Sequence, residues 1–118
     1  MTPVHLSHFT VSSCLGCGLD ATLTALRQQR GGLAPCRFET IHDIETYVGE
    51  VPKVDDSPLP AFLGEYECRN NRLAVLGLQQ DGFSSAVEAA IVRHGRRRVG
   101  VLLGTSTAGI LQTEQAYR

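Results

Sequence analysis

The apolar positions of the first thirty residues predict a strand followed by a helix. Residues 4–13 carry apolar side chains between polar ones, which is typical of a strand. Asp20 can then cap a helix whose apolar stripe includes Leu23 and Leu26. Gly31, with the glycine after it, is expected to end this helix.

The middle of the chain predicts a loop and then a long helix. Residues 34–66 contain four prolines, which exclude long regular elements, although the segment TYVGEV favours a short strand. Apolar residues then recur close to the helical period over 69–94, which predicts one long buried helix. Asp81 and Gly82 could instead form a turn, but the flanking residues lack strand alternation. We therefore interpret Gly77 and Gly82 as points of close helix contact.

The last part of the chain predicts a buried strand and the start of another helix. Residues 99–103 form a continuous apolar run, which is typical of a parallel strand covered on both faces, and 111–118 resemble a helix opening. So few parallel strands and helices cannot cover a sheet on both sides. We therefore expect residues 1–118, without an internal boundary, to be the front portion of a larger α/β domain.

Composition excludes several classes of protein. The chain has 118 residues and a formal net charge of −1, so no overall basic field favours nucleic acid or an acidic membrane surface. No apolar stretch approaches the roughly 18 residues of a membrane span, and the N-terminus lacks the pattern of an export signal. The expected compartment is the cytoplasm, where the four cysteines would stay reduced.

Two short motifs imitate cofactor sites without completing them. Gly104 and Gly109 have the spacing of a phosphate-binding loop, but Ile110 and Leu111 stand where that motif needs lysine and a hydroxyl residue. The pair Cys14 and Cys17 has a redox or zinc-ligand spacing, yet Cys36 and Cys68 are isolated and do not form a second close pair. We expect no metal and no cofactor.

Charges at the ends of the long predicted helix need separate explanations. Arg69 and Arg72 lie three residues apart in its first turn, where the helix dipole disfavours positive charge. Another interaction must favour them, unless they belong to an ordinary solvated face. By contrast, residues 96–98 are three arginines that follow the C-terminal end of the predicted helix. The helix dipole favours positive charge at that end, which is sufficient to explain them.

Four segments, taken in order, resemble one enzyme family. They are LTALRQQRGGL, RFETIHDIETYVGEV, CRNNRLAVLGLQQDGFSSAVEAA and RVGVLLGTSTAGI. Together they cover nearly the whole chain and resemble the N-terminal portion of β-ketoacyl-[acyl-carrier-protein] synthases, nearest to the bacterial fatty-acid and aryl-polyene types. The chain departs from the family pattern at Leu23, where a large aromatic residue is usual, and at Gln29, where a small residue is common.

The resemblance implies a thiolase-like fold, in which two similar halves stack as α-β-α-β-α layers. It also implies a dimer and a decarboxylative condensation of an acyl thioester with malonyl-carrier protein. The family's nucleophilic cysteine and two catalytic histidines come from later segments, so we expect no catalytic residue here and no activity from these residues alone. Cys14 lies at the end of the first predicted strand, which is not the family's nucleophile position.

The resemblance also assigns two binding surfaces. Arg69 and Arg72 match basic positions that face the acyl carrier protein beside the tunnel mouth. Thr107, Ala108 and Gly109 match the wall of the acyl tunnel, where Thr107 helps to set its depth, although packing alone would also suit this hydroxyl. The alternative function is a non-catalytic chain-length factor of the same fold, which would keep both surfaces but lack the nucleophile.

Overall fold

A tight hairpin forms where the first strand was predicted. The computed structural model describes residues 6–37, 44–105 and 110–117. Strand β1 (Ser12–Ser13) pairs with the antiparallel strand β2 (Gly16–Cys17), and Cys14 and Leu15 form the turn between them. The predicted strand over 4–13 is thus wrong for residues 6–11, which pair with no described strand, and residues 4 and 5 lie outside the described ranges.

The first helix, α1 (Leu19–Arg27), confirms the predicted element but not its ends. Gly18 rather than Asp20 precedes the helix, so Asp20 lies in its first turn. The helix stops before the predicted glycine pair, and Gln29 already has a positive φ of 52°. Leu23 and Leu26 of the predicted apolar stripe are both exposed, at 45% and 61%, and the buried residue of this helix is Ala25, so the predicted leucine face does not pack against the described residues.

A second hairpin confirms the short strand predicted in the proline-rich region. Strand β3 (Leu33–Pro35) pairs with β4 (Tyr47–Gly49) in antiparallel register. Gly49 approaches the first hairpin so closely that a Cβ atom there would lie 2.8 Å from Cys14 Sγ. The two hairpins therefore pack together through a contact that only glycine fits without displacement of Cys14.

The long predicted helix is two helices, α2 (Arg69–Leu78) and α3 (Phe83–His94). Between them Gln80–Gly82 forms a 3₁₀ turn, in which Asp81 has a φ of 54° and Gly82 a φ of 67°. The prediction of one continuous helix was wrong, and the turn at Asp81 and Gly82 was the correct alternative. Aspartate and glycine both tolerate this left-handed backbone better than most residues.

The break between α2 and α3 places the side chain of Asp81 against the N-terminus of α1. Its carboxylate accepts hydrogen bonds from the backbone N–H of Leu19, at 3.0 and 3.1 Å, and from Thr10 Oγ1 at 2.7 Å. It therefore supplies an acceptor to the N-terminus of α1, where Gly18 contributes no side chain. A residue 62 positions away in sequence thus takes the place of a local N-cap.

Replacing Asp81 with glycine is expected to destabilise α1. Glycine keeps the positive φ but removes the carboxylate, and losing such a cap costs about 1 kcal/mol. Asp81→Asn is the matched control, since asparagine also tolerates this backbone and retains one acceptor oxygen. Amide hydrogen exchange at Leu19 and urea unfolding measure the effect. Equal exchange and stability in the glycine variant and the unaltered protein would show that the carboxylate contributes nothing to α1.

The segment after α3 does not form the buried strand that was predicted. Arg96–Arg98 is a short 3₁₀ helix, and 99–103 have neither strand pairing nor a buried side chain; Leu102 is 92% exposed. The prediction failed because a strand needs a neighbour, and no described segment pairs with this one. Helix α4 (Ile110–Ala116) confirms the helix that was expected to begin near residue 111.

The structure combines helices with two small antiparallel sheets, and the described residues contain no parallel pair. The buried apolar residues are few: Ala25, Val54 and Leu76. The accessible surface is 10006 Å², whereas a folded monomer of this mass exposes about 6300 Å². The radius of gyration is 17.2 Å, against about 13 Å for a compact domain of this length. Much apolar surface therefore stays uncovered.

Candidate functional site

Arg69 and Arg72 lie together in the first turn of α2. The helix begins at Arg69 because Cys68 before it is extended, with φ −158° and ψ 159°. A spacing of three residues places both side chains on one side of the helix. Arg69 is 52% exposed and Arg72 is 29% exposed. The structure therefore brings the two predicted residues to one surface.

Two carboxylates explain why arginines occupy this unfavourable end of a helix. Arg69 Nε donates a hydrogen bond to Asp55 Oδ1 at 3.0 Å. Arg72 Nε donates to Glu67 Oε1, and its Nη1 group donates to the backbone carbonyl of Asp55 at 2.9 Å. The proline-rich segment before α2 thus supplies negative charge that offsets the dipole of the helix. Sequence reasoning missed both carboxylates, although acidic residues flank the prolines of this segment.

The pair Arg72 and Glu67 shifts the protonation of both groups. The hydrogen bond from Arg72 is the main cause that lowers the pKa of Glu67, and the N–H of Leu59 also favours the charged carboxylate. The same hydrogen bond raises the pKa of Arg72. Both shifts favour the charged forms of the two groups, and the contacts to Glu67 and to the carbonyl of Asp55 orient the guanidinium of Arg72.

The pH dependence of this pair can be measured. Because the pKa of Glu67 lies below its ordinary value of 4.5, the contribution of the pair is present above pH 4.5 and is lost as the pH falls through the lowered pKa. We expect Arg72→Gln to return the pKa of Glu67 toward 4.5, as followed by NMR of its side-chain carboxyl. Arg69→Gln, which removes only contacts to Asp55, is the control. A similar pKa change in both variants would contradict the assigned pairing.

The ion pair of Arg69 and Asp55 is more exposed to solvent than the pair of Arg72 and Glu67. Asp55 is 73% exposed, and the second contact, from Arg69 Nη2 to Asp55 Oδ2, is long at 3.5 Å. Exposed ion pairs of this kind contribute little to stability, because water screens them and both side chains lose freedom. Arg69 can therefore exchange Asp55 for a carboxylate of another molecule at small cost.

Three further arginines form a second basic surface. Arg96–Arg98 are all exposed and follow the C-terminus of α3, where the helix dipole favours positive charge. Within the described residues, no carboxylate forms an ion pair with them. They lie outside the predicted site and provide a comparison for it, since they carry the same charge in another place.

The predicted tunnel residues Thr107, Ala108 and Gly109 lie outside the described ranges. The structure does describe Gly104 and Thr105, which precede them in sequence, and both are exposed. The assignment of the tunnel wall therefore stays a prediction.

The cysteines show no arrangement for chemistry in the described part of the chain. Cys14, Cys17, Cys36 and Cys68 are free thiols, each partly buried. Cys17 Sγ donates a weak hydrogen bond to the carbonyl of Pro52 at 3.5 Å. Within residues 6–37, 44–105 and 110–117, no three His, Cys, Asp or Glu residues are grouped to hold a metal ion.

Comparison of the chain with protein-family profiles, with characterised proteins and with solved structures finds no match. In the described ranges, no helix is long and apolar enough to cross a bilayer.

Proposed function

We propose that the chain is the N-terminal part of a 3-oxoacyl-[acyl-carrier-protein] synthase, or condensing enzyme, and that Arg69 and Arg72 bind the acyl carrier protein. The four sequence segments support the family, and the mixed α/β structure is compatible with it. The observation that carries the proposal is the joint presentation of the two arginines at the start of α2.

The uncovered apolar surface supports the same proposal. Exposed residues such as Phe62 and Leu102 suit a segment whose core is completed by the rest of a larger domain. In that enzyme this segment supplies the carrier-protein surface and, through Thr107, Ala108 and Gly109, part of the acyl tunnel. The nucleophile comes from another segment.

The electrostatics of the two arginines suit an acidic partner protein. Arg69 holds an exposed carboxylate that it can exchange, whereas Arg72 is oriented by Glu67 and keeps its charge. Complementary charge of this kind speeds association and selects the partner more than it raises affinity. Binding should therefore weaken as salt rises.

Charge reversal in the complete protein tests the proposal. Arg69→Glu together with Arg72→Glu should weaken binding of acyl carrier protein about tenfold or more at low salt, because two attractive pairs become repulsive. Arg96→Glu with Arg97→Glu is the matched control, since it changes the net charge equally but at the second basic surface. Isothermal titration calorimetry measures both affinities.

Equal weakening by the two double variants would mean that only net charge matters. Unchanged affinity in the Arg69 and Arg72 variant would remove the carrier-protein assignment. Circular dichroism spectra of both variants check that the fold is intact.

A further inference from the structure

Asp55 contacts both arginines of the proposed carrier-protein site. Its carboxylate accepts hydrogen bonds from Arg69 Nε at 3.0 Å and from Arg69 Nη2 at 3.5 Å. Its backbone carbonyl accepts a hydrogen bond from Arg72 Nη1 at 2.9 Å. A single residue of the proline-rich segment therefore occupies donors of both guanidinium groups, and an acidic partner needs the same donors.

The turn that carries Asp55 is held by contacts on both sides of this residue. Val54, directly before it, is 2% exposed and is one of the few buried apolar residues in the described part of the chain. The N–H of Ser57 donates to the carbonyl of Val54 at 3.2 Å, and Ser57 Oγ donates to the carbonyl of Lys53 at 2.7 Å. The carboxylate of Asp55 thus stays beside Arg69 at a high effective concentration, because both groups belong to one chain.

Asp56 has the same charge as Asp55 but does not contact the arginines. Both aspartates are exposed to solvent. Among the residues that the structure describes, Asp55 forms an ion pair and Asp56 forms none. Asp56 therefore adds only to the negative charge near the site, whereas Asp55 also occupies Arg69 directly. The two neighbours allow the effect of direct contact to be separated from the effect of charge.

We propose that Asp55 is an internal competitor of the acyl carrier protein and limits the affinity of the site, an inference that rests on the proposed function of Arg69 and Arg72. A carboxylate of the carrier protein binds Arg69 only after Arg69 releases Asp55, so the lost ion pair offsets part of the new one. When the carrier protein dissociates, Asp55 pairs with Arg69 again. The complex is therefore weaker than the two arginines alone would make it.

Asp55→Asn in the complete protein should tighten carrier-protein binding about two- to fivefold at low salt, which is the range for one exposed ion pair. Asparagine has the same shape and keeps the backbone carbonyl that Arg72 uses, but its neutral oxygen is a weaker acceptor for Arg69. Asp56→Asn is the matched control, because it removes the same charge from the neighbouring position, and it should tighten binding less. Isothermal titration calorimetry measures both affinities, and melting temperatures check that both variants are folded.

Arg69→Gln separates the competitor role of Asp55 from the proposed function. Alone, this change should weaken carrier-protein binding. In the Arg69→Gln background, Asp55→Asn should tighten binding no more than Asp56→Asn does, because the cation that Asp55 occupies is gone.

Unchanged affinity in the Arg69→Gln variant would remove Arg69 from the carrier-protein site, and the competitor role of Asp55 with it. If Arg69→Gln weakens binding but Asp55→Asn tightens it no more than Asp56→Asn does, the site stands and Asp55 is not a competitor. An effect of Asp55→Asn that persists in full in the Arg69→Gln background would also overturn the proposal, since the competition would not act through Arg69.

Discussion

Thr107→Phe in the complete enzyme should lower kcat/KM strongly for long acyl primers and little for short ones. If Thr107 lines the acyl tunnel, the phenyl ring occupies space that the far end of a long chain requires. Each methylene that loses its burial costs about 0.8 kcal/mol. Exclusion of three methylenes therefore costs about 2.4 kcal/mol, or about fiftyfold in kcat/KM. Short primers do not reach this depth and keep most of their activity.

A series of primers of increasing length, with melting temperature measured in parallel, separates the tunnel from ordinary packing. If Thr107 only packs in the interior, the larger ring costs about 1–3 kcal/mol of stability and lowers activity for all primers equally. A uniform loss with a lower melting temperature would contradict the tunnel assignment.

The 118-residue chain by itself should show no condensing activity. The proposed enzyme forms its acyl thioester on a cysteine from another segment, so none of the four cysteines here is expected to act as the nucleophile. Incubation with malonyl-carrier protein and an acyl primer, followed by measurement of carbon dioxide release, checks this expectation. The control is the same protein after boiling. Turnover above this control would show that the chain holds its own nucleophile, and Cys14→Ala would then identify whether Cys14 is that residue.

Local patterns predicted the helices better than the strands. The presence of helix α1 and the start of α2 were predicted from apolar spacing, which depends on residues close in sequence, although the ends of α1 were not. The apolar run at 99–103 carries a strand pattern, but whether it pairs depends on a neighbour that sequence periodicity does not supply. The same reason explains why residues 6–11 form no strand.

The break at Asp81 shows a different limit of sequence reasoning. The apolar period continues from α2 into α3, so the pattern favours one helix. The helix nevertheless breaks at Asp81 and Gly82, two residues that tolerate a positive φ. The carboxylate of Asp81 then accepts hydrogen bonds from Leu19 and Thr10, which are far away in sequence. No local signal gives the position of those partners.

The place of Arg69 and Arg72 in the first turn of a helix was predicted, whereas their ion pairs were not, and their role as a binding site stays a prediction. The position of Arg69 and Arg72 in the first turn of a helix follows from their spacing and from the apolar period after them. Their pairing with Asp55 and Glu67 depends on how the proline-rich segment folds back on α2. That path is set by tertiary contacts, which the sequence pattern does not specify.

Hydrogen exchange of the complete protein, with and without acyl carrier protein, tests the central claim most directly. Peptides are followed by mass spectrometry over two segments: residues 66–75, which include both arginines, and 92–98, which carry the second basic surface. We expect slower exchange at 66–75 when the carrier protein is added at low salt, reversal of this effect at high salt, and no change at 92–98. Unchanged exchange at 66–75, or protection confined to 92–98, would contradict the assignment of Arg69 and Arg72 as the carrier-protein site.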